Sequence, residues 1–205
     1  MSKPKRIRRR METQGWLADG HPADNRQSIN RDGELPCRTL PSASAEETRR
    51  VGELLGRHLL PSDVILLQGP LGAGKTCLTQ GIARGYGFRG RVISPSFTLA
   101  NVYELDDGKP PLYHLDLWRI KSPVEALGLG LDEYLAGTGP CVIEWPEVAE
   151  TVMPGAYLRV RIESVEDGRR IEICAVGGRP RSLLEGFEAD LAKAAETGGA
   201  VAARD

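Results

Sequence analysis

The chain has 205 residues, enough for one domain with tails and too few for two full cores. A hydrophobic share of 40% and a charged share of 27% exclude collagen-like and wholly disordered chains. No run approaches the roughly 18 consecutive apolar residues of a membrane helix, and no apolar segment follows the basic N-terminus as a secretory signal requires. The net charge of -1 is unevenly spread. Six of the 27 basic residues fall in residues 1–10, which hold no acid. The remainder carries 21 basic against 28 acidic residues, a net of -7. A domain this acidic is not expected to bind nucleic acid in its own right. The basic start offers either an RNA contact or only a solvated tail.

Cys37, Cys77, Cys141 and Cys174 share no C-x-x-C spacing and have no histidine at a metal-ligand interval. They are expected as reduced thiols of a cytoplasmic protein. His21, His58 and His114 are too scattered to suggest a metal site.

In chain order, residues 1–37 are rich in breakers and read as a disordered tail. The domain is expected over 38–195. Ser44 is placed as an N-cap with Glu46 and Glu47 in the first turn, and Val51, Leu54, Leu55 and Leu59 recur at helical spacing, so a helix is predicted over 45–59. Val64, Ile65, Leu66 and Leu67 form a continuous apolar run, the pattern of a strand buried on both faces. A helix should follow over 75–86, closed by Gly85 and Gly87. Residues 97–104 and 112–117 read as a strand pair around the turn at Asp106 to Lys109. Ser122 and Pro123 start a short helix, and residues 132–136 form another. Cys141, Val142 and Ile143 form a second buried strand ending in Glu144. Residues 157–163 and 170–176 flank Glu166, Asp167 and Gly168 as a hairpin. Leu183, Leu184, Phe187 and Leu191 mark one face of a C-terminal helix, and residues 196–205 are expected to fray.

The strongest chemical signal is Gly69-Pro70-Leu71-Gly72-Ala73-Gly74-Lys75-Thr76, a full G-x-x-x-x-G-K-[ST] match between a buried strand and a predicted helix. Glycines let the backbone turn its N–H groups toward phosphate oxygens, and the helix N-terminus adds positive potential. Candidate nucleotide-binding residues are therefore Gly69, Leu71, Gly72, Ala73, Gly74, Lys75, Thr76 and Cys77. Lys75 should reach the β- and γ-phosphates and the Thr76 hydroxyl should ligate Mg²⁺. Two acids stand at strand ends, where either can hold a metal-bound water or orient the attacking one: Glu144 and Asp116. Ser96 and Thr98 lie in a segment able to sense the γ-phosphate, or else in a plain turn before a strand. Trp145 packs on nucleotide, on a partner or in the core. No N-K-x-D or D-x-x-G follows the loop, which argues against a Ras-like GTPase, and no D-F-G or H-R-D marks a protein kinase.

Beyond the loop, Ser94-Pro95-Ser96-Phe97-Thr98-Leu99 with Tyr103, Tyr113-His114-Leu115-Asp116-Leu117-Trp118-Arg119, Gly130-Leu131-Asp132-Glu133-Tyr134-Leu135, and Ile143-Glu144-Trp145-Pro146-Glu147 occur in one order and spacing. In this the chain resembles the TsaE family, the small ATPase of bacterial tRNA threonylcarbamoyladenosine synthesis, over residues 40–180. The resemblance implies an α/β P-loop NTPase-type fold with a mixed central sheet flanked by helices. It implies binding of ATP and Mg²⁺, slow hydrolysis alone, and docking on the TsaB–TsaD pair, with tRNA met only through that complex. By motif it carries over Lys75 to phosphates, Thr76 and Glu144 to the metal side, Asp116 to water or metal orientation, Trp145 to a functional tryptophan, and Ser96 and Thr98 to a switch-like segment. Adenine contacts are implied near Ala45 and Glu46. Pro70, Ser96 and Trp118 depart from the residues common in the family, and none of the three removes a catalytic group. A P-loop small-molecule kinase, with residues 84–91 as a short lid, and an RNA-binding module using the basic tail are the competing readings.

Overall fold

The computed structural model describes residues 36–196. Its centre is β2 (Val64–Gln68), whose side chains alternate between two hydrophobic cores. Ile65 and Leu67 point into one core, Val64 and Leu66 into the other, which is why this strand reads as unbroken apolar sequence. β5 (Cys141–Glu144) and β6 (Tyr157–Val165) flank it in parallel, and β4 (Leu112–Asp116) runs parallel to β5. The edges are antiparallel: β3 (Ala100–Tyr103) on β4, β7 (Gly168–Val176) on β6, and β1 (Cys37–Ser42) on β7. The seven strands follow the order β1-β7-β6-β2-β5-β4-β3, a mixed sheet with helices on both faces.

α1 (Ala45–Gly56), α2 (Lys75–Tyr86) and α5 (Gly178–Glu196) cover the larger core. The Ser44 side chain accepts the Glu47 N–H, and the Glu47 carboxylate returns to the Ala43 N–H, a reciprocal cap. α1 ends at Gly56, three residues before the predicted end, and Leu59 still packs in the core. α1 and α2 touch backbone to backbone. A Cβ on Gly52 would stand 2.2 Å from the Leu78 carbonyl oxygen, and one on Gly81 2.0 Å from that of Arg49. Gly85 belongs to the same contact and lies inside α2, so it does not close the helix; Gly87 alone caps it, with φ 124.

α3 (Pro123–Gly128), α4 (Leu131–Leu135) and a 3₁₀ segment (Pro146–Val152) cover the smaller core. Ser122 caps α3 with Pro123 in its first turn. The hairpin, the short helices and the C-terminal helix stand within a few residues of the predicted positions. The predicted strand over 97–104 shortens to β3 because residues 95–99 form a turn closed by the Thr98 and Leu99 N–H groups on the Pro95 carbonyl.

Two elements were not foreseen. One is the 3₁₀ segment, and the other is β1, a six-residue edge strand with only Leu40 and Ser42 buried and Pro41 at its outer margin. β1 also corrects the cysteine reading. Antiparallel register sets Cys37 opposite Cys174, with Cα atoms 4.1 Å apart, and the two form a disulfide across 137 residues of chain. Sequence spacing carries no trace of such a pairing, because strand register alone creates it. Cys77 and Cys141 are free. Of the predicted tails, 1–37 and 196–205, residues 1–35 and 197–205 lie outside the described residues, while Cys37 belongs to β1 and Glu196 to α5; among the described residues no helix is long and apolar enough to cross a membrane.

Candidate nucleotide site

The loop from β2 to α2 forms one wall of a cleft of about 350 Å³. Gly69, Gly72 and Gly74 all adopt positive φ (141, 78 and 110), a conformation that L side chains rarely tolerate. Gly69 has no room either, since a Cβ there would meet the Ile162 carbonyl oxygen at 2.3 Å. α2 starts at Lys75 with Gly74 as its N-cap and no side chain on the cap, so the N-terminal N–H groups face the cleft unblocked. Leu71, Gly72, Gly74, Lys75, Thr76 and Cys77 line this wall; Leu71 is 79% exposed at its rim. Ala73 is buried, and its carbonyl accepts Arg169 Nε from β7 at 2.9 Å, a brace on the loop.

Lys75 is 5% exposed and donates to the Gly69 and Pro70 carbonyls at 2.7 and 3.0 Å. Its ammonium lies 3.6 Å from the centroid of the Trp145 ring, a cation–π contact. Burial pushes the ammonium below the ordinary lysine range, while Glu144, Glu147 and Asp116 pull it back. Trp145 follows β5 in the left-handed region (φ 58), which turns its ring back over the lysine. Trp118 packs on Trp145 with centroids 4.2 Å apart, so the aromatic departure at position 118 backs the ring that covers Lys75. The Cys77 thiol is pushed up by burial and donates to the Ala45 carbonyl, which makes it a packing group rather than a nucleophile.

The opposite wall is assembled from distant segments. Parallel register makes Asp116 at the end of β4 the neighbour of Glu144 at the end of β5, and both face the α2 side of the sheet. Asp116 is 6% exposed and accepts Ser94 Oγ at 2.8 Å, Ser96 Oγ at 2.6 Å and the Trp118 N–H at 3.0 Å. Glu144 is 3% exposed, with one oxygen 3.3 Å from the Thr76 hydroxyl and the other 2.9 Å from His114 Nε2. A carboxylate oxygen only accepts, so Nε2 carries the proton of that bond. His114 Nδ1 pairs with Tyr103 Oη, which donates to the Ile93 carbonyl. The Thr76 hydroxyl and the Glu144 carboxylate are hard oxygen donors facing one another at the phosphate end of the loop, a set that fits Mg²⁺.

The structure thus gathers Gly72, Gly74, Lys75, Thr76, Cys77, Ser96, Asp116, Glu144 and Trp145 around one cleft. Thr98 turns into its own loop, with Oγ1 3.5 Å from the Pro95 carbonyl, and does not line the cleft. Ala45 abuts α2 through Cys77, and Glu46 pairs with Arg49; neither lines the cleft. Four contributors went unread as site residues: Trp118 against Trp145, His114 and Tyr103 behind Glu144, and Arg169 behind the loop. His114 had a signal, two residues before Asp116 on the same face of a strand; Arg169 had none.

Fold and site together define a protein of the P-loop fold class, with the motif loop between a central parallel strand and its helix and two acids on adjacent strand ends. The family model described as threonylcarbamoyl adenosine biosynthesis protein TsaE matches residues 42–171, and the chain belongs to that family. The tRNA threonylcarbamoyladenosine biosynthesis protein TsaE of Bacillus subtilis is 41% identical over 74% of this chain and 92% of its own length. Its counterpart from Treponema pallidum is 40% identical over 63% of this chain and 93% of its own. The crystal structure of Bacillus subtilis YdiB superposes with a TM-score of 0.66 at 36% identity, covering 76% of this chain and 97% of that one. The family role is in tRNA threonylcarbamoyladenosine biosynthesis.

Proposed function

We propose that the chain is an Mg²⁺-dependent ATPase that works on the TsaB–TsaD pair and supports repeated threonylcarbamoylation of the adenosine beside the tRNA anticodon. The observation that carries the reading is the convergence of Lys75, Thr76, Glu144 and Asp116, drawn from three elements, on the cleft at the start of α2. Thr76 and Glu144 would hold Mg²⁺, which would supply positive charge to the bound phosphates. Lys75 exchanges its two carbonyl acceptors for phosphate oxygens, and the N–H groups of the loop and α2 hold the rest. Asp116, fixed by three donors, orients the attacking water. The new bond forms between water oxygen and the γ-phosphorus as the bond to the β–γ bridging oxygen breaks, giving ADP and inorganic phosphate.

A protein partner suits the rim. Leu71 lines the cleft and Phe97 follows Ser96 in its wall; they are 79% and 86% exposed, and Arg119 stacks on Phe97 at 4.4 Å. Large apolar groups this exposed beside a site mark an interaction surface. The kinase alternative gains no such support: Arg84, Arg89 and Arg91 line a different hollow, and among the described residues no arginine lines the cleft. The test is the fate of the γ-phosphate of labelled ATP. Mg²⁺-dependent release as inorganic phosphate is expected; transfer to an added small acceptor instead of water would overturn the reading.

A further inference from the structure

A second hollow, about 520 Å³, opens on the far half of α2 among residues none of which line the nucleotide cleft. Four guanidinium groups surround it: Arg49, Arg84, Arg89 and Arg91. Two are anchored. Arg49 donates to Gln80 Oε1 at 3.1 Å and pairs with Glu46 at 2.9 Å, and Arg84 lies 3.6 Å from Glu53. Arg89 and Arg91 are exposed and have no carboxylate within 4.0 Å among the described residues. Half-buried Phe88, whose ring lies against Gly90, supplies an apolar floor. The hollow also sits in an unusual stretch of an otherwise acidic chain, because residues 64–103 contain four basic residues and no Asp or Glu.

Arginine, rather than lysine, is suited to phosphate oxygens because its planar fork donates two parallel hydrogen bonds. Guanidinium walls over an aromatic floor are a combination that tracks a nucleic-acid backbone. The family acts in the modification of a tRNA, which makes RNA the phosphate-bearing ligand at hand. We infer that this arginine hollow is a second phosphate-binding site, separate from the nucleotide cleft, that takes the phosphodiester backbone of RNA directly. The inference goes beyond contact with tRNA through partner proteins alone, and it does not depend on whether the chain hydrolyses ATP.

The test measures binding of a fluorescently labelled, unmodified tRNA transcript to the full-length chain by anisotropy, between 50 and 200 mM KCl. The comparison is between wild type and Arg89→Ala/Arg91→Ala. Inorganic pyrophosphate and polyglutamate are run as competitors against both. The double variant is expected to lose about tenfold or more in tRNA affinity, and its plot of log affinity against log salt should flatten by about 2. Its affinity for a non-hydrolysable ATP analogue should stay at the wild-type value, which reports an intact fold. Equal tRNA affinity and salt slope in the two proteins, as expected if residues 1–10 hold the RNA, would overturn the proposal. So would failure of the wild type to bind tRNA. Arginine-dependent binding of pyrophosphate without tRNA would make the hollow a small-anion site, and arginine-dependent binding of polyglutamate without tRNA an acidic-protein site; either result also overturns it.

Discussion

The two walls of the nucleotide cleft are built in opposite ways. One is a single stretch of chain, residues 64–86, in which strand, loop and helix follow one another and the glycines carry the geometry. The other draws on β4, β5 and the turn at residues 94–96, and parallel register alone brings Asp116 beside Glu144. The contiguous wall takes its shape mostly from local chemistry, with Arg169 as its one described brace from a distant strand. The assembled wall is held through hydrogen bonds between segments, and each acid has partners far away in sequence. In the proposed function, binding therefore belongs mainly to the first wall, and turnover to the second.

Removing the charge from the first wall should have the largest effect. Lys75→Ala is expected to lose ATP affinity and turnover together, read by calorimetry and phosphate release. Retained affinity in this variant would break the division of labour. In the second wall, Asp116→Asn and Glu144→Gln should bind ATP within a few-fold of wild type and lose about 10²–10³ in turnover, because they act mainly in the transition state. Wild-type turnover in both would remove the acids from the mechanism. One step further out, His114→Phe keeps the ring and removes its bonds to Glu144 and Tyr103. The Mg²⁺ concentration needed for half-maximal turnover should rise about 10- to 100-fold, as for other partners that orient a metal ligand. A drop in turnover at saturating Mg²⁺ with no change in that midpoint would point to packing instead.

This difference also explains how much could be read in advance. The first wall was legible because its chemistry is a local pattern, and α2 begins and ends at the predicted residues. The second was legible only as two separate strand-end acids. What holds them was not, since Ser94 to Asp116 and His114 to Glu144 are contacts across 22 and 30 residues. The Cys37–Cys174 bond was hidden for the same reason, as was the role of Gly85, which reads as a helix stop and serves as a helix contact.

Two smaller effects concern stability and leave the cleft untouched. Removing a native disulfide typically costs about 2–5 kcal/mol, so Cys37→Ser should lower the unfolding free energy by that amount in a denaturant titration. Gly81→Ala forces a methyl group against the Arg49 carbonyl and should cost about 1–3 kcal/mol by the same measurement. Unchanged stability in Gly81→Ala would mean that α1 and α2 can separate freely.

The proposed function has this cleft hydrolyse ATP in the service of a protein partner. Its most direct test is the rate of Mg²⁺-dependent phosphate release by the purified chain, with and without the purified TsaB–TsaD pair. Slow release alone and strong stimulation by the pair, lost in Asp116→Asn, is the predicted result. ATP binding intact with no stimulation by the pair would contradict it.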